Sequence, residues 1–161
     1  TMEKVLIIDC DLRKPSLAKR FDIADSQPGL TNILTMDTAI KDCIVRVEDA
    51  KLDVLPAGLI PPNPQELLAS ARFNKLLDYF QEKYDRIIID TPPLLSVSDA
   101  LILGQYANGL ITVIRAESTK AQLVNVALSK QLQHSVPSLG VLITQAKSKQ
   151  GEALYVQKYA Y

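Results

Sequence analysis

A chain of 161 residues that is 47% hydrophobic and 22% charged is long and apolar enough for one sizeable core, which favours a globular fold over disorder. Eighteen basic residues balance eighteen acidic ones, so the sequence does not read as a dedicated nucleic-acid binder. The two cysteines, Cys10 and Cys43, suit neither a disulfide scaffold nor zinc-ligand spacing, and no apolar stretch approaches the ~20 residues of a membrane helix.

In chain order, the first predicted element is a strand over 4–9, built on the run Val5-Leu6-Ile7-Ile8. A short helix over 16–21 follows Pro15, and another over 29–34 follows Pro28-Gly29. A strand is expected at 52–56. A helix starts near 64, with Asn63 as N-cap, Pro64 in the first turn and Glu66 completing a capping box. Leu67, Leu68, Ala71, Leu77 and Phe80 form its apolar stripe. A strand at 86–90 precedes a helix at 98–106, capped by Ser98. A strand at 109–115, a helix at 119–133 and a strand at 139–145 complete the series. Ala121, Val124, Ala127 or Leu128, and Leu132 are expected to face inward from the last helix. Alternating strands and helices predict βαβ units in a single α/β domain with a mostly parallel sheet. The Pro-rich stretch 59–64 lies inside that alternation and reads as a stiff loop.

Two of the apolar runs end in acids. Val5–Ile8 leads into Asp9-Cys10-Asp11-Leu12-Arg13, and Ile87-Ile88-Ile89 leads into Asp90-Thr91-Pro92-Pro93. Parallel sheets bind ligands at the carboxyl ends of their strands. Asp9 and Asp11, two apart, project to the same side, with Asp90 expected beside them. Three bare carboxylates would repel one another, and a hydrated magnesium ion with phosphate oxygens would relieve the conflict. A single strand-end aspartate often serves as a turn former instead, but two such ends make a divalent-metal and phosphate site the leading idea. Cys10, alternating with the two aspartates, is read as a packed residue. No G-x-x-x-x-G-K-S/T loop occurs in the sequence.

These segments resemble the bacterial tyrosine kinases (BY-kinases) of capsule and exopolysaccharide biosynthesis, within the P-loop NTPase superfamily. Val5 to Pro15 (VLIIDCDLRKP) is similar to the family's A′ motif, and Ile87 to Pro93 (IIIDTPP) to its Walker B segment. Pro28 to Leu34, Leu55 to Gly58, Pro61 to Pro64 followed by Glu66-Leu67-Leu68, and Val97-Ser98-Asp99-Ala100 follow the family's order and spacing. The resemblance implies a three-layer sandwich around a mostly parallel sheet, lacking the P-loop strand and helix, which in the family lie upstream. It implies transfer of the ATP γ-phosphoryl group to tyrosine, with ATP and Mg2+ as cofactors. Asp9, Asp11, Asp90 and Arg13 form the implied catalytic set. Within it, Asp9 and Asp90 hold metal, Asp11 accepts the phenol proton, and Arg13 pairs with an acid or a phosphate. Asp11 and Thr144 are the implied nucleotide-binding positions. Thr144 stands where the family usually has Asn near the purine.

The last seven residues contain Tyr155, Tyr159 and Tyr161, half of the six tyrosines, and match the family's phosphoacceptor cluster. Residues 1–161 are therefore expected to form one truncated kinase domain, with 150–161 a flexible tyrosine-containing tail. The implied partners are other copies of the chain in a ring and a transmembrane polysaccharide co-polymerase or activator, with no nucleic acid. The implied location is the cytoplasmic side of the inner membrane, the chain itself being soluble. Without its P-loop this stretch is expected to be inactive alone, and the strands beside the missing one are expected to carry unpaired main-chain groups. Two other readings are a non-catalytic regulatory or assembly module of the export machinery and a MinD/ParA-like ATPase. The PPNP-x-ELL block argues against the latter.

Overall fold

The computed structural model describes residues 3–146. Strand β1 (Val5–Asp9) opens the fold, followed by helices α1 (Leu17–Arg20), α2 (Leu30–Met36) and α3 (Ile40–Cys43). Strands β2 (Val45–Val47) and β3 (Leu52–Leu55) lead to helices α4 (Pro64–Leu68) and α5 (Ala71–Gln81). Then come β4 (Arg86–Asp90), α6 (Asp99–Gly104), β5 (Leu110–Arg115), α7 (Ala121–Gln133) and β6 (Ser138–Thr144). All five expected strands are present, and the α/β class holds. Strand β2 went unforeseen, being only three residues long and antiparallel to β3.

The described strands fall into two sheets rather than one. The first has the order β2-β3-β1-β4, with β1 parallel to both β3 and β4, and the second is the parallel pair β5-β6. Strand β4 therefore pairs only with β1, and β5 only with β6, among the described residues. A main-chain edge of each carries donors and acceptors with no strand opposite, as expected from the sequence. Ile88, Ile111 and Val113 on these two strands are exposed.

The core sits between β1 and the helices before and after β3. Leu6 and Ile8 of β1 are fully buried and join Leu30 and Leu34 of α2 and Phe73 and Phe80 of α5 in one cluster. Cys10 packs in the same cluster, as expected. Burial pushes its thiol well above the ordinary range, and the charges of Asp9 and Asp90 add to the shift, so it is an inert filler and not a nucleophile.

Several local expectations change, and among them Ser98 makes no side-chain cap on α6 and Ala121 is exposed. The helix predicted to run on from 64 is two helices, because Ser70 breaks it. Its hydroxyl accepts a hydrogen bond from Phe73 N at 3.1 Å and caps α5. Asn63 precedes α4 but makes no side-chain cap, its amide donating to Glu66 at 3.3 Å instead. Leu132 points to solvent, 80% exposed, while the neighbouring Gln131 is buried. Gln131 is satisfied there, accepting from the Thr112 hydroxyl and donating to Pro137 O.

The loop after β3 is set against α2 by two glycines. Leu30 N donates to Pro56 O at 2.8 Å and Thr31 N to Ala57 O at 2.9 Å. A methyl group at Gly29 would overlap the Pro56 carbonyl and lie 2.5 Å from Gly58 N. Gly58 itself has φ +75°, a conformation glycine adopts without strain. Two of the motifs quoted above, PGLTNIL and LPAG, thus owe their glycines to close backbone packing.

Candidate active site

The site lies at the carboxyl ends of β1 and β4. Asp9 and Asp90 are partners in the parallel ladder, and Cys10 N extends it by donating to Asp90 O at 2.9 Å. The β-branched runs build these strands, and their common register brings both acids to one edge.

Asp9 is fully buried. One carboxylate oxygen accepts from Ser16 N at 3.0 Å and Leu17 N at 2.9 Å, and the other from Asp11 N at 3.2 Å. Ser16 makes no side-chain cap on α1, so Asp9 supplies the acceptor that the helix start needs. Burial raises the Asp9 carboxyl above its ordinary value, against the opposing pull of these three amides. The expectation that Asp9 holds metal does not fit this arrangement. The residue is closed to solvent and its oxygens already meet main-chain donors.

Asp11 is partly exposed. One of its oxygens accepts from Arg13 N at 3.2 Å and Lys14 N at 2.9 Å, an Asx-type turn that fixes the side chain over its own loop. Asp90 is also partly exposed. Burial raises its carboxyl, and the charges of Asp9 and then Asp11 push it further. The three acids are therefore electrostatic neighbours, as the sequence predicted.

Arg13 meets an acid rather than standing free. Its Nε donates to Asp99 Oδ2 at 2.9 Å and its Nη2 to Asp99 Oδ1 at 3.2 Å. Asp99, in the first turn of α6, is completely buried. The segment Val97-Ser98-Asp99-Ala100 does not by itself assign Asp99 a role. An acid at a helix start is ordinary, and nothing local signals a partner 86 positions away. Thr144 stands apart from the carboxylates, at the end of β6 in the other sheet, where its hydroxyl donates to Ile114 O at 3.2 Å. Tyr155, Tyr159 and Tyr161 lie outside the described residues.

Among the described residues, no group of three or more His, Cys, Asp or Glu side chains is placed to hold a metal by itself. Magnesium takes one or two carboxylates and completes its shell with water and phosphate oxygens. Asp90, partly exposed and crowded by the charges of Asp9 and Asp11, fits such an ion.

A family model described as an AAA domain matches residues 1–144. The chain is 38% identical over 141 residues to the tyrosine-protein kinase ptk of Acinetobacter johnsonii, covering 88% of this chain and 19% of that protein. It is 36% identical over 143 residues to the tyrosine-protein kinase wzc of Salmonella typhimurium, covering 89% of this chain and 20% of that protein. The chain thus spans about a fifth of the length of these two relatives. The crystal structure of the VpsO kinase domain superposes with a TM-score of 0.87 at 44% identity, covering 91% of this chain and 72% of that one. A cobyrinic acid a,c-diamide synthase with bound ATP analog and magnesium, at 22% identity and a TM-score of 0.68, shares the fold alone. The chain belongs to the BY-kinase family of P-loop NTPases.

Proposed function

We propose that the protein containing this chain is an ATP-dependent tyrosine autokinase regulating exopolysaccharide or capsule polymerisation and export. The observation that carries this reading is the meeting of Asp9, Asp11 and Asp90 at the carboxyl ends of two adjacent parallel strands. Phosphoryl transfer asks for positioning and charge neutralisation more than covalent chemistry. Mg2+ beside Asp90 would neutralise the phosphates. The phenol oxygen of a tyrosine attacks the γ-phosphorus, the bond to the β–γ bridging oxygen breaks, and ADP leaves with that electron pair. The phenol proton passes to Asp11. Asp9 keeps α1 and the A′ turn in place.

Tyr155, Tyr159 and Tyr161 are the proposed acceptors, supplied to neighbouring copies in a ring. A transmembrane activator at the inner face of the cytoplasmic membrane is the proposed second partner. No helix among the described residues is long and apolar enough to cross a membrane. The resemblance puts the phosphate-binding loop upstream of this stretch, and the unpaired edges of β4 and β5 support a place for one more strand. Each phosphate added to the tail brings up to about two negative charges, which would oppose docking beside the acidic site and favour ring release.

The test is incubation of the full-length protein with Mg-ATP followed by an anti-phosphotyrosine blot. Asp11→Asn is expected to lower the signal by about a hundredfold or more with an unchanged circular-dichroism spectrum. A wild-type protein that stays blank would turn the assignment to a non-catalytic assembly module.

A further inference from the structure

We infer that the Arg13–Asp99 pair is a latch that positions Asp11 against Asp90, making both members positioning residues for phosphoryl transfer. The inference rests on the kinase reading above for its functional consequence, and on geometry for its existence. Arg13 sits in the loop after β1, and Asp99 begins the helix that follows the loop after β4. Asp9 and Asp90, the last residues of these two strands, are ladder partners, so the loops leave the sheet side by side. The guanidinium bridges them with two hydrogen bonds to one carboxylate, at 2.9 and 3.2 Å. A two-pronged contact fixes angle as well as distance. Its acid partner is completely buried, so the latch has one anchored end, on α6.

The other end reaches the chemistry through one residue. Arg13 N donates to Asp11 Oδ1 at 3.2 Å, and the next amide, Lys14 N, donates to the same oxygen at 2.9 Å. The main chain that aims the Asp11 carboxylate is therefore the main chain whose side chain is fastened to α6. With the latch open, the 11–14 turn loses its fixed position, and its own two hydrogen bonds from Arg13 N and Lys14 N open more often. A displacement of about 1 Å in a reacting group costs on the order of a hundredfold in rate. Nucleotide affinity, set mainly by contacts to the phosphates and base, should move little.

The test uses the full-length protein and three variants. Arg13→Lys keeps the charge but not the fork, Asp99→Asn keeps the shape but not the charge, and Arg13→Met/Asp99→Leu removes the pair without stranding a buried charge. Autophosphorylation is measured as kcat and as KM for Mg-ATP, and amide hydrogen exchange is followed at Arg13 and Lys14. In folded variants the expected result is a kcat lower by about a hundredfold, KM within about threefold, and faster exchange at those two amides. Wild-type kcat in the folded double variant, or exchange unchanged in all three, would overturn the latch. A loss confined to KM would overturn it as well. If the wild-type protein transfers no phosphate, the kinase reading fails by itself and exchange alone decides whether the latch holds the turn.

Discussion

Asp9 and Asp90 face each other as the last pair of the β1–β4 ladder, and only one of them is open to solvent. Two adjacent acids have thereby divided their tasks. Asp9 organises the main chain, and Asp90 bears an electrostatic strain that the site can use. That division leads to opposite mutational signatures.

Asp90→Asn should stabilise the protein at neutral pH. An acid whose folded-state value is raised holds its proton better when folded. Its favourable contribution is complete below the ordinary aspartate value of 3.8 and is lost as pH rises through the raised value. Above that range the charged Asp90 is a cost, which the neutral amide avoids. Thermal melts should therefore show Asp90→Asn above wild type at pH 7, with the gap closing as pH falls toward about 4. A variant that melts lower than wild type at pH 7 would contradict this origin of the shift.

Asp9→Ala should do the reverse. Ser16 N, Leu17 N and Asp11 N lose their acceptor in a closed site. Urea denaturation is expected to show a loss of about 3 kcal/mol, with Asp9→Asn costing less because one carbonyl oxygen remains. Equal stability of Asp9→Ala and wild type would mean that these amides find other partners.

Tyr84 offers a test away from the site. Its hydroxyl donates to Asp53 Oδ2 at 2.8 Å, and Asp53 is also paired with Arg46. Burial first, then Asp53, pushes the phenol above the ordinary tyrosine value of 10.0. The stability from this raised group is present below pH 10 and declines as pH rises through the folded-state value. Tyr84→Phe should cost about 1–2 kcal/mol at pH 7, and the difference from wild type should shrink above pH 10 in urea titrations. The same hydrogen bond makes Tyr84 a poor phosphoacceptor, so phosphopeptide mapping should leave it unmodified.

A polypeptide of residues 1–161 alone should bind Mg-ATP negligibly. Asp90 fits the cation, but phosphate needs a cradle of main-chain amides, and the sequence has no P-loop. Titration calorimetry giving a micromolar constant would refute this.

The strands were legible because β-branched runs such as Ile87-Ile88-Ile89 admit few other conformations. The neighbourhood of Asp9, Asp11 and Asp90 followed from strand direction alone. The break at Ser70 was not legible, since a serine on an amphipathic stripe looks like one more polar surface position. Gln131 and Leu132 were exchanged for a similar reason. Composition favours burying leucine, whereas the partners that make a buried glutamine acceptable lie on β5 and beyond α7. The role of Asp9 stayed hidden because its partners include amides seven and eight residues away, across a loop. Asp99 is the extreme case, an unremarkable helix-start acid until the fold brings Arg13 to it.

The split between the four-stranded sheet and the β5–β6 pair also dictates an order of melting. The first sheet encloses Leu6, Ile8, Phe73 and Phe80, while β6 leaves Leu142 and Ile143 largely bare to water. Local opening is easiest where little apolar surface is hidden. Warming a polypeptide of residues 1–161 should loosen the β5–α7–β6 end first, while the ladder bearing Asp9 and Asp90 stays intact until the whole chain gives way.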